Sequence, residues 1–277
     1  MHEGEGARLG LQYAFGLLDF DRLGLPDDAL PDVIGAAGRE GLAGLNVTHP
    51  FKQSIVRHLD ALSPDAAAIG AVNTVVFRDG RAVGHNTDCW GFAESFRRDM
   101  RGAALDRVLL IGAGGAGMAV GRALVDLGAS QVSVFDSEAE KASALAGSLS
   151  RQFGARGRAA VAADPAAAMR SADGLVNATP VGMTKYPGIP APRNELRRDL
   201  WVADIVYFPA VTDLLRAAAA AGSRTLPGRG MAIFQAVKAF ELFTGLAPDA
   251  AAMSRHFEAA NCVDEPPRQA AVPPSLT

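Results

Sequence analysis

Gly112, Gly114 and Gly117 form a G-x-G-x-x-G run, Gly112-Ala113-Gly114-Gly115-Ala116-Gly117, directly behind the apolar residues Val108-Leu109-Leu110-Ile111 and ahead of a helical pattern that runs to Leu127. A strand that turns on glycine into a helix aims backbone N–H groups and the positive end of the helix dipole at one point. With no side chain in the way, that point suits a pyrophosphate. Asp136 stands nineteen positions after Gly117, at the end of the next apolar strand, Gln131 to Phe135. A carboxylate there can accept hydrogen bonds from the hydroxyls of an adenosine ribose. Glu138 beside it, and the lack of arginine at positions 136 to 140, disfavour a 2′-phosphate. NAD is therefore favoured over NADP, with Lys141 a partial counterweight. A helix N-cap is the other role open to Asp136, and a ligand-free strand-to-helix turn is the other reading of the glycines.

The remaining reactive residue types exclude several chemistries. His2, His49, His58, His85 and His256 show no H-E-x-x-H or comparable spacing, so no metal site is expected. A nucleophilic serine on a G-x-S-x-G turn is absent. Cys89 and Cys262 have neither the spacing of a redox or metal pair nor the number of a disulfide framework, which fits a reducing, cytoplasmic setting.

The elements that must position these residues follow from hydrophobic periodicity. Leu11, Tyr13, Phe15 and Leu17 alternate at period two and predict a strand, with a helix over Leu30 to Glu40 behind it. Gly44-Leu45-Asn46-Val47 reads as a short strand. Thr48-His49-Pro50 then places proline near the start of a helix carrying Phe51, Ile55, Val56 and Leu59, with Lys52 in its first turn. Ala71 to Phe77 and Arg81 to Val83 predict two strands about the turn Arg78-Asp79-Gly80, and Asp88 falls at the N-terminus of a helix through Trp90, Phe92 and Phe96. From Leu105 onward, continuous apolar strands alternate with helices. The strands are Val108 to Ile111, Gln131 to Phe135, Gly174 to Asn177 and Trp201 to Val206, and one helix carries Ala142, Leu145, Leu149 and Phe153 on one face. That alternation predicts a doubly wound parallel sheet. Helices at Met231 to Phe243 and Ala250 to Ala259 have no strand partners and are expected to pack back on the first domain.

The expected organisation is an α/β chain. An amino-terminal α/β substrate domain over 1–104 is completed by helices within 231–262, and a Rossmann-type nucleotide domain covers 105–230. A proline-rich tail over 263–277 is expected to fray, having little apolar area to offset its ordering entropy. The length of 277 residues suits about two domains. Hydrophobic content of 49%, charged content of 21% and a net charge of -3 describe a globular protein without the basic footprint of a nucleic-acid or anionic-membrane binder. No uninterrupted apolar run is long enough for a membrane span, and Glu3, Glu5, Arg8 and Asp19 are unlike a signal peptide.

Six motifs occur in one order: Asn46-Val47-Thr48-His49-Pro50-Phe51-Lys52, Ala71-Val72-Asn73-Thr74, Gly84-His85-Asn86-Thr87-Asp88, the 112–117 glycine loop, Asn177-Ala178-Thr179-Pro180-Val181-Gly182-Met183 and Gly230-Met231-Ala232-Ile233-Phe234-Gln235-Ala236. This series resembles the shikimate dehydrogenase family over nearly the whole chain. Asp136 and the segment Met231 to Gly245 look most like its NAD-using quinate/shikimate branch, because the NADP-using biosynthetic branch typically has Asn-Arg-Thr where Asp136-Ser137-Glu138 stands. The resemblance implies reversible hydride transfer between the C3 carbon of shikimate or quinate and a nicotinamide, giving the 3-dehydro form. Lys52 and Asp88 would be the catalytic pair. A lysine can exchange the hydroxyl proton while a carboxylate orients it and holds a substrate hydroxyl, the two titrating as a coupled pair. By residue type alone, Lys52 reads equally as a solvated lysine and Asp88 as an N-cap. The same match implies Thr48, Asn73 and Gln235 at substrate hydroxyls and Tyr207 near the substrate carboxylate. Ala178, Thr179, Met183, Val206, Gly230 and Met231 would line the nicotinamide side. His49 and His85, although adjacent to the motifs, are assigned no role.

One departure stands out. The family pattern carries an additional strand with a Ser-x-Ser or Ser-x-Thr element ahead of the segment that resembles Met1-His2-Glu3. Its hydroxyls would bind the substrate carboxylate through charge-assisted bonds of about 1.5–3 kcal/mol each. The expectation is that the natural start lies upstream, and that restoring those residues restores substrate affinity. Three alternatives stay open: an NADP-dependent biosynthetic shikimate dehydrogenase, an aminoshikimate or aminoquinate dehydrogenase, and a truncated nucleotide-binding relative without catalysis. A homodimer is neither required nor excluded.

Overall fold

In the computed structural model, residues 1–261 are described. The expected tail, 263–277, and Cys262 lie outside the described residues. Short apolar runs broken by turn residues build the first unit, residues 1–87 together with the chain from Gln235 onward. Its elements are α1 (His2–Arg8), α2 (Phe20–Leu23), α3 (Leu30–Arg39), β1 (Gly44–Asn46), β2 (Ala61–Leu62), α4 (Pro64–Ile69), β3 (Thr74–Arg78) and β4 (Arg81–His85). The strands form one sheet in the order β1-β3-β4-β2, with β3 antiparallel to both neighbours and β2 parallel to β4. Asp79 and Gly80 turn the β3–β4 hairpin with φ of 53° and 72°, the left-handed geometry that a two-residue turn needs. Pro31 in the first turn of α3 has its φ already helical. Spacing of three and four then puts Leu30, Val33, Ile34 and Ala37 on a buried face. Leu30 and Ile34 share a core with Ile55, Val72 and Val75.

The second unit, residues 88–234, holds most of α5 (Thr87–Asp99), followed by β5 (Arg107–Ile111), α6 (Gly115–Asp126), β6 (Gln131–Phe135), α7 (Ala139–Phe153), β7 (Arg158–Val161), α8 (Pro165–Ser171), β8 (Gly174–Asn177), β9 (Trp201–Asp204), α9 (Asp213–Ala220) and β10 (Thr225–Pro227). Helix α10 (Arg229–Thr244) begins here and ends in the first unit, which α11 (Ala250–Asn261) completes. All six strands are parallel, in the order β10-β9-β8-β5-β6-β7. The chain therefore runs outward from β5 in both directions, and the reversal between β5 and β8 makes a topological switch point at the carboxyl ends of those strands. Leu109, Leu175 and Val202 are fully buried, as expected of strands covered on both faces. Phe96 of α5 lies edge-on to Trp201, 5.0 Å between ring centres. In the first unit α11 packs on α1, where the fully buried Glu5 carboxylate accepts the Asp249 N–H at 2.7 Å as well as the Arg8 guanidinium.

Several expected elements differ. Residues 11–17 form no strand: Tyr13 and Phe15 stack on the His2 ring, the Phe15 N–H donates to Glu3, and Phe15 and Leu17 are 43% and 44% exposed, so the alternation faces no sheet. Residues 50–59 form no continuous helix either. The Lys52 carbonyl accepts the Val72 N–H at 2.8 Å instead of the Val56 N–H, which goes to Gln53. Lys52 thus sits in a run of turns ahead of a 3-10 turn, Ser54–His58, and not in a first helical turn. The strand expected from Ala71 starts at Thr74, and that expected to reach Val206 stops at Asp204. Elements α1, α2, β2, α4, β7, α8, α9 and β10 were not anticipated. Among the described residues no helix is long and apolar enough to cross a membrane, and no group of three or more His, Cys, Asp and Glu is arranged to hold a metal ion.

Candidate active site

In the first unit the conspicuous motifs converge through backbone pairing at the ends of β1, β3 and β4. The Val47 N–H donates to the Asn73 carbonyl at 2.7 Å and the Asn73 N–H to the His85 carbonyl at 3.1 Å, while Val72 reaches Lys52 as above. These bonds bring the segments 46–52, 71–74 and 84–87 together. Buried Asn73 is the centre of their polar side chains. Its Oδ1 accepts the Thr87 N–H at 2.7 Å, its Nδ2 donates to Thr87 Oγ1 at 2.9 Å and to Gln235 Oε1 at 3.4 Å, and Thr74 Oγ1 lies at 3.2 Å from its Oδ1. Asn46 Nδ2 extends the network to Thr74. Asn73 thus holds the first N–H of α5, at Thr87, and sets where that helix starts; its second residue, Asp88, is buried. Lys52 is half-buried and Thr48 exposed, its hydroxyl donating to the His49 carbonyl at 3.4 Å. Burial, then the charges of Arg78 and Lys238, pushes the His85 imidazole below its usual range. Carboxamides and hydroxyls in this density suit a polyhydroxylated ligand, since each can donate or accept.

In the second unit, Gly112 takes φ of 104° at the end of β5, where a Cβ would stand 2.7 Å from the Ala178 carbonyl. At Gly117 a Cβ would stand 2.0 Å from the Gly112 carbonyl oxygen, so the third glycine lets α6 pack against the turn. Gly114 is different: a Cβ there would meet nothing within 4 Å. The open space lies at the N-cap of α6, ahead of Gly115, Ala116 and Gly117, whose N–H groups have no carbonyl one turn back within the helix. An anion fits this cradle. Asp136, at the end of β6, accepts the Glu138 N–H at 2.9 Å and the Ser137 hydroxyl at 3.5 Å on Oδ1 and the Ala113 N–H at 2.7 Å on Oδ2, which leaves an acceptor position on Oδ2. Lys141 pairs with Glu138, which raises its ammonium pKa.

Across the switch point, Ala178 donates its N–H to the Ile111 carbonyl at 2.7 Å, and Thr179 Cγ2 would lie 3.0 Å from a Cβ on Gly112. The structure thus brings Gly112, Ala178 and Thr179 together. Met183 and Tyr207 stand on loops, 41% and 53% exposed, and Val206 is buried. Met231 is buried on α10, and Gly230 has a packing reason of its own, since a Cβ there would stand 2.1 Å from Ser95 Oγ. Residues to which the sequence reading gave no role join these loops: Asn177, which opens one of the six motifs, and Asp204, the last residues of β8 and β9, and Thr212. Asn177 Nδ2 donates to Asp204 Oδ1 at 2.9 Å, and the Thr212 hydroxyl donates to Asp204 Oδ2 at 2.6 Å. The signal for Asn177 and Asp204 was a polar residue closing each apolar strand, and that for Thr212 a hydroxyl residue ahead of a helix.

Comparisons with known proteins agree with this arrangement. Residues 1–75 match the shikimate dehydrogenase substrate binding domain, and residues 228–255 the shikimate 5′-dehydrogenase C-terminal domain. The chain is 54% identical to the shikimate dehydrogenase (NADP(+)) of Streptomyces avermitilis over 91% of its length and 87% of the relative's. It is 44% identical to the quinate/shikimate dehydrogenase (NAD(+)) of Corynebacterium efficiens over 93% of its length and 91% of the relative's. The solved quinate dehydrogenase from Corynebacterium glutamicum in complex with NAD superposes with a TM-score of 0.84 at 41% identity, covering 93% of this chain and 92% of the other. With a glycine cradle at the switch point of a Rossmann-type sheet, a carboxamide-rich first unit and relatives of this likeness along nearly its full length, the chain belongs to the shikimate dehydrogenase family of oxidoreductases.

Proposed function

We propose that the chain is an NAD-dependent quinate/shikimate dehydrogenase, which reversibly oxidises the C3 hydroxyl of shikimate or quinate to the 3-dehydro form. The observation that carries the cofactor half is Asp136, whose carboxylate is fixed by two backbone N–H groups and the Ser137 hydroxyl beside the Gly114 cradle, with an acceptor position left on Oδ2. A ribose bearing two hydroxyls can donate to it, whereas a 2′-phosphate would meet a like charge with no arginine at positions 136 to 140. The likeness to the NAD-bound quinate dehydrogenase supports the same choice.

When bound, the nicotinamide supplies the hydride acceptor. Gly112, Ala113, Gly114, Gly115, Ala116 and Gly117 hold the pyrophosphate of that cofactor, and Ala178, Thr179, Met183, Val206, Gly230 and Met231 its nicotinamide side. In the oxidative direction the Lys52 amine takes the substrate hydroxyl proton at Nζ, and in the reductive direction the ammonium returns it to the carbonyl oxygen. Asp88 orients the lysine and accepts from a substrate hydroxyl. Thr48, Asn73 and Gln235 bind ring hydroxyls, and Tyr207 lies at the substrate carboxylate. In this reading residues 1–104 with 231–262 serve the substrate, residues 105–230 serve the cofactor, and the setting is cytoplasmic.

The test is a spectrophotometric assay at alkaline pH that crosses NAD and NADP with shikimate and quinate. Turnover with NAD is expected, and Lys52→Ala is expected to lower kcat by about 10²–10⁴-fold. Turnover with NADP alone overturns the reading of Asp136. A second reading, an NADP-dependent shikimate dehydrogenase, is favoured by the 54% identity to the Streptomyces avermitilis enzyme, and the same assay separates the two.

A further inference from the structure

Asp204 is a carboxylate 1% exposed, and the proton transfer proposed above makes no use of it. Its hydrogen bonds tie two loops together. Oδ1 accepts the Asn177 Nδ2–H at 2.9 Å and the Val206 N–H at 3.0 Å, and Oδ2 accepts the Thr212 hydroxyl at 2.6 Å. Asn177, fully buried and in register with Asp204 across β8 and β9, is itself saturated. Its Nδ2 also donates to the Val181 carbonyl at 2.9 Å, and its Oδ1 accepts the Thr179 N–H at 3.0 Å and hydroxyl at 2.7 Å. Thr212, fully buried as well, caps α9 by accepting the Leu215 N–H. The loop 178–183 therefore hangs from Asn177, and the loop 205–211 is fixed at one end by Val206 and at the other by Thr212. Burial pushes the Asp204 carboxyl up from its usual range, and the Thr212, Val206 and Asn177 donors oppose that push.

We propose that Asp204, acting through Asn177 and Thr212, is a positioning residue that holds the loops 178–183 and 205–211 in register with each other. A buried, fully connected polar network fixes one arrangement, because any slip leaves a desolvated group without its partner. Both loops carry side chains assigned above to the cofactor and the substrate, Thr179 and Met183 on one and Val206 and Tyr207 on the other, so the inference rests on that reading.

The test uses the full chain, with Thr212→Val to remove the donor at constant shape, Thr212→Ser to restore it, and Asp204→Asn to remove the charge while keeping polar contacts. Steady-state kinetics and a fluorescence titration with NADH are read together. Thr212→Val is expected to raise the nucleotide KM and the NADH Kd by about tenfold, the loss of one net hydrogen bond, and Thr212→Ser to return both to within about twofold. Asp204→Asn is expected to fall between them, since an amide can accept from Val206 and donate to Thr212. A purely structural role would lower melting temperature and apparent kcat through loss of folded enzyme and leave KM and Kd unchanged. That result, or no rescue by serine, overturns the proposal. Should Thr212→Val fail to fold, hydrogen exchange on the wild type decides. The amides of Thr179, Val181 and Val206 are expected to exchange as slowly as those of β8 and β9, and fast exchange there overturns the proposal. A wild type that binds NADH but turns over no hydroxy acid refutes the dehydrogenase reading alone, and the Kd and exchange readouts still decide the positioning role.

Discussion

At the scale of single residues, the proposed choice of nucleotide turns on one carboxylate. Asp136→Asn keeps an acceptor for the Ala113 N–H and removes the negative charge that a 2′-phosphate would meet. The ratio of kcat/KM for NADP to that for NAD is expected to rise about tenfold, corresponding to about 1.4 kcal/mol of lost repulsion. An unchanged ratio would mean that Asp136 serves only its two backbone partners. Lys52 is a different case. Its neighbours in sequence looked like the start of a helix, yet its carbonyl pairs with Val72, so the lysine is carried on a turn held against the Asn73 segment. Replacing Asn73 by Ala removes the acceptor for the Thr87 N–H and the donor to Gln235. The expected result is a raised KM for the hydroxy acid together with a loss of about 1–3 kcal/mol in unfolding free energy, read from urea melts.

At the scale of elements, the strand-to-helix turn separates ligand binding from folding. Gly114→Ala adds a methyl that meets nothing within 4 Å, at a φ of -74° that alanine accepts. Unfolding free energy is expected to fall by no more than about 1 kcal/mol, the difference in capping preference. NADH affinity is expected to drop because the methyl occupies the cradle. Gly112→Ala forces φ of 104° on a side chain that would strike the Ala178 backbone. The conformation alone costs about 1–3 kcal/mol, so its melting temperature should fall first. If Gly114→Ala binds NADH as the wild type does, the cradle is not the pyrophosphate site. This turn was legible because a continuous apolar strand, glycine spacing and a helical pattern are all local. The helices α3, α5 and α7 were legible for the same reason, as were β1, β5, β6 and β8. The alternation of Leu11 to Leu17 misled because a strand needs a neighbour, and no local pattern reports one. Edge strand β7, Arg158–Val161, is largely exposed and rich in alanine, so it lacked the apolar signal of its partners. The Asn177–Asp204 contact was invisible for a third reason: it depends on the register of β8 against β9, twenty-seven residues apart.

At the scale of the whole molecule, the docking of α1 makes stability depend on pH. His2 is buried against Tyr13, Phe15, Phe240 and Phe243, and desolvation lowers its pKa from 6.5 to about 4. Above pH 6.5 the ring is neutral in both states. Below it the unfolded chain takes up a proton that the folded chain refuses until about pH 4, so stability is lost as the pH falls through that window. The loss is expected to reach on the order of 3 kcal/mol. Urea melts between pH 7.5 and 4.5 measure it against His2→Phe, which should show a flatter profile, and parallel profiles would remove His2 as the cause.

The first unit is made of two stretches of chain, residues 1–87 and those from Gln235 on, with the second unit strung between them. During synthesis the ribosome therefore releases all six parallel strands before it releases α11, on which α1 packs, and Asp249 just ahead of it, whose N–H Glu5 accepts. Domains ordinarily mature from the amino end. Here the order is inverted: α1, made before the six strands, must wait with its Glu5 carboxylate unpaired to Asp249 until the chain beyond them is made.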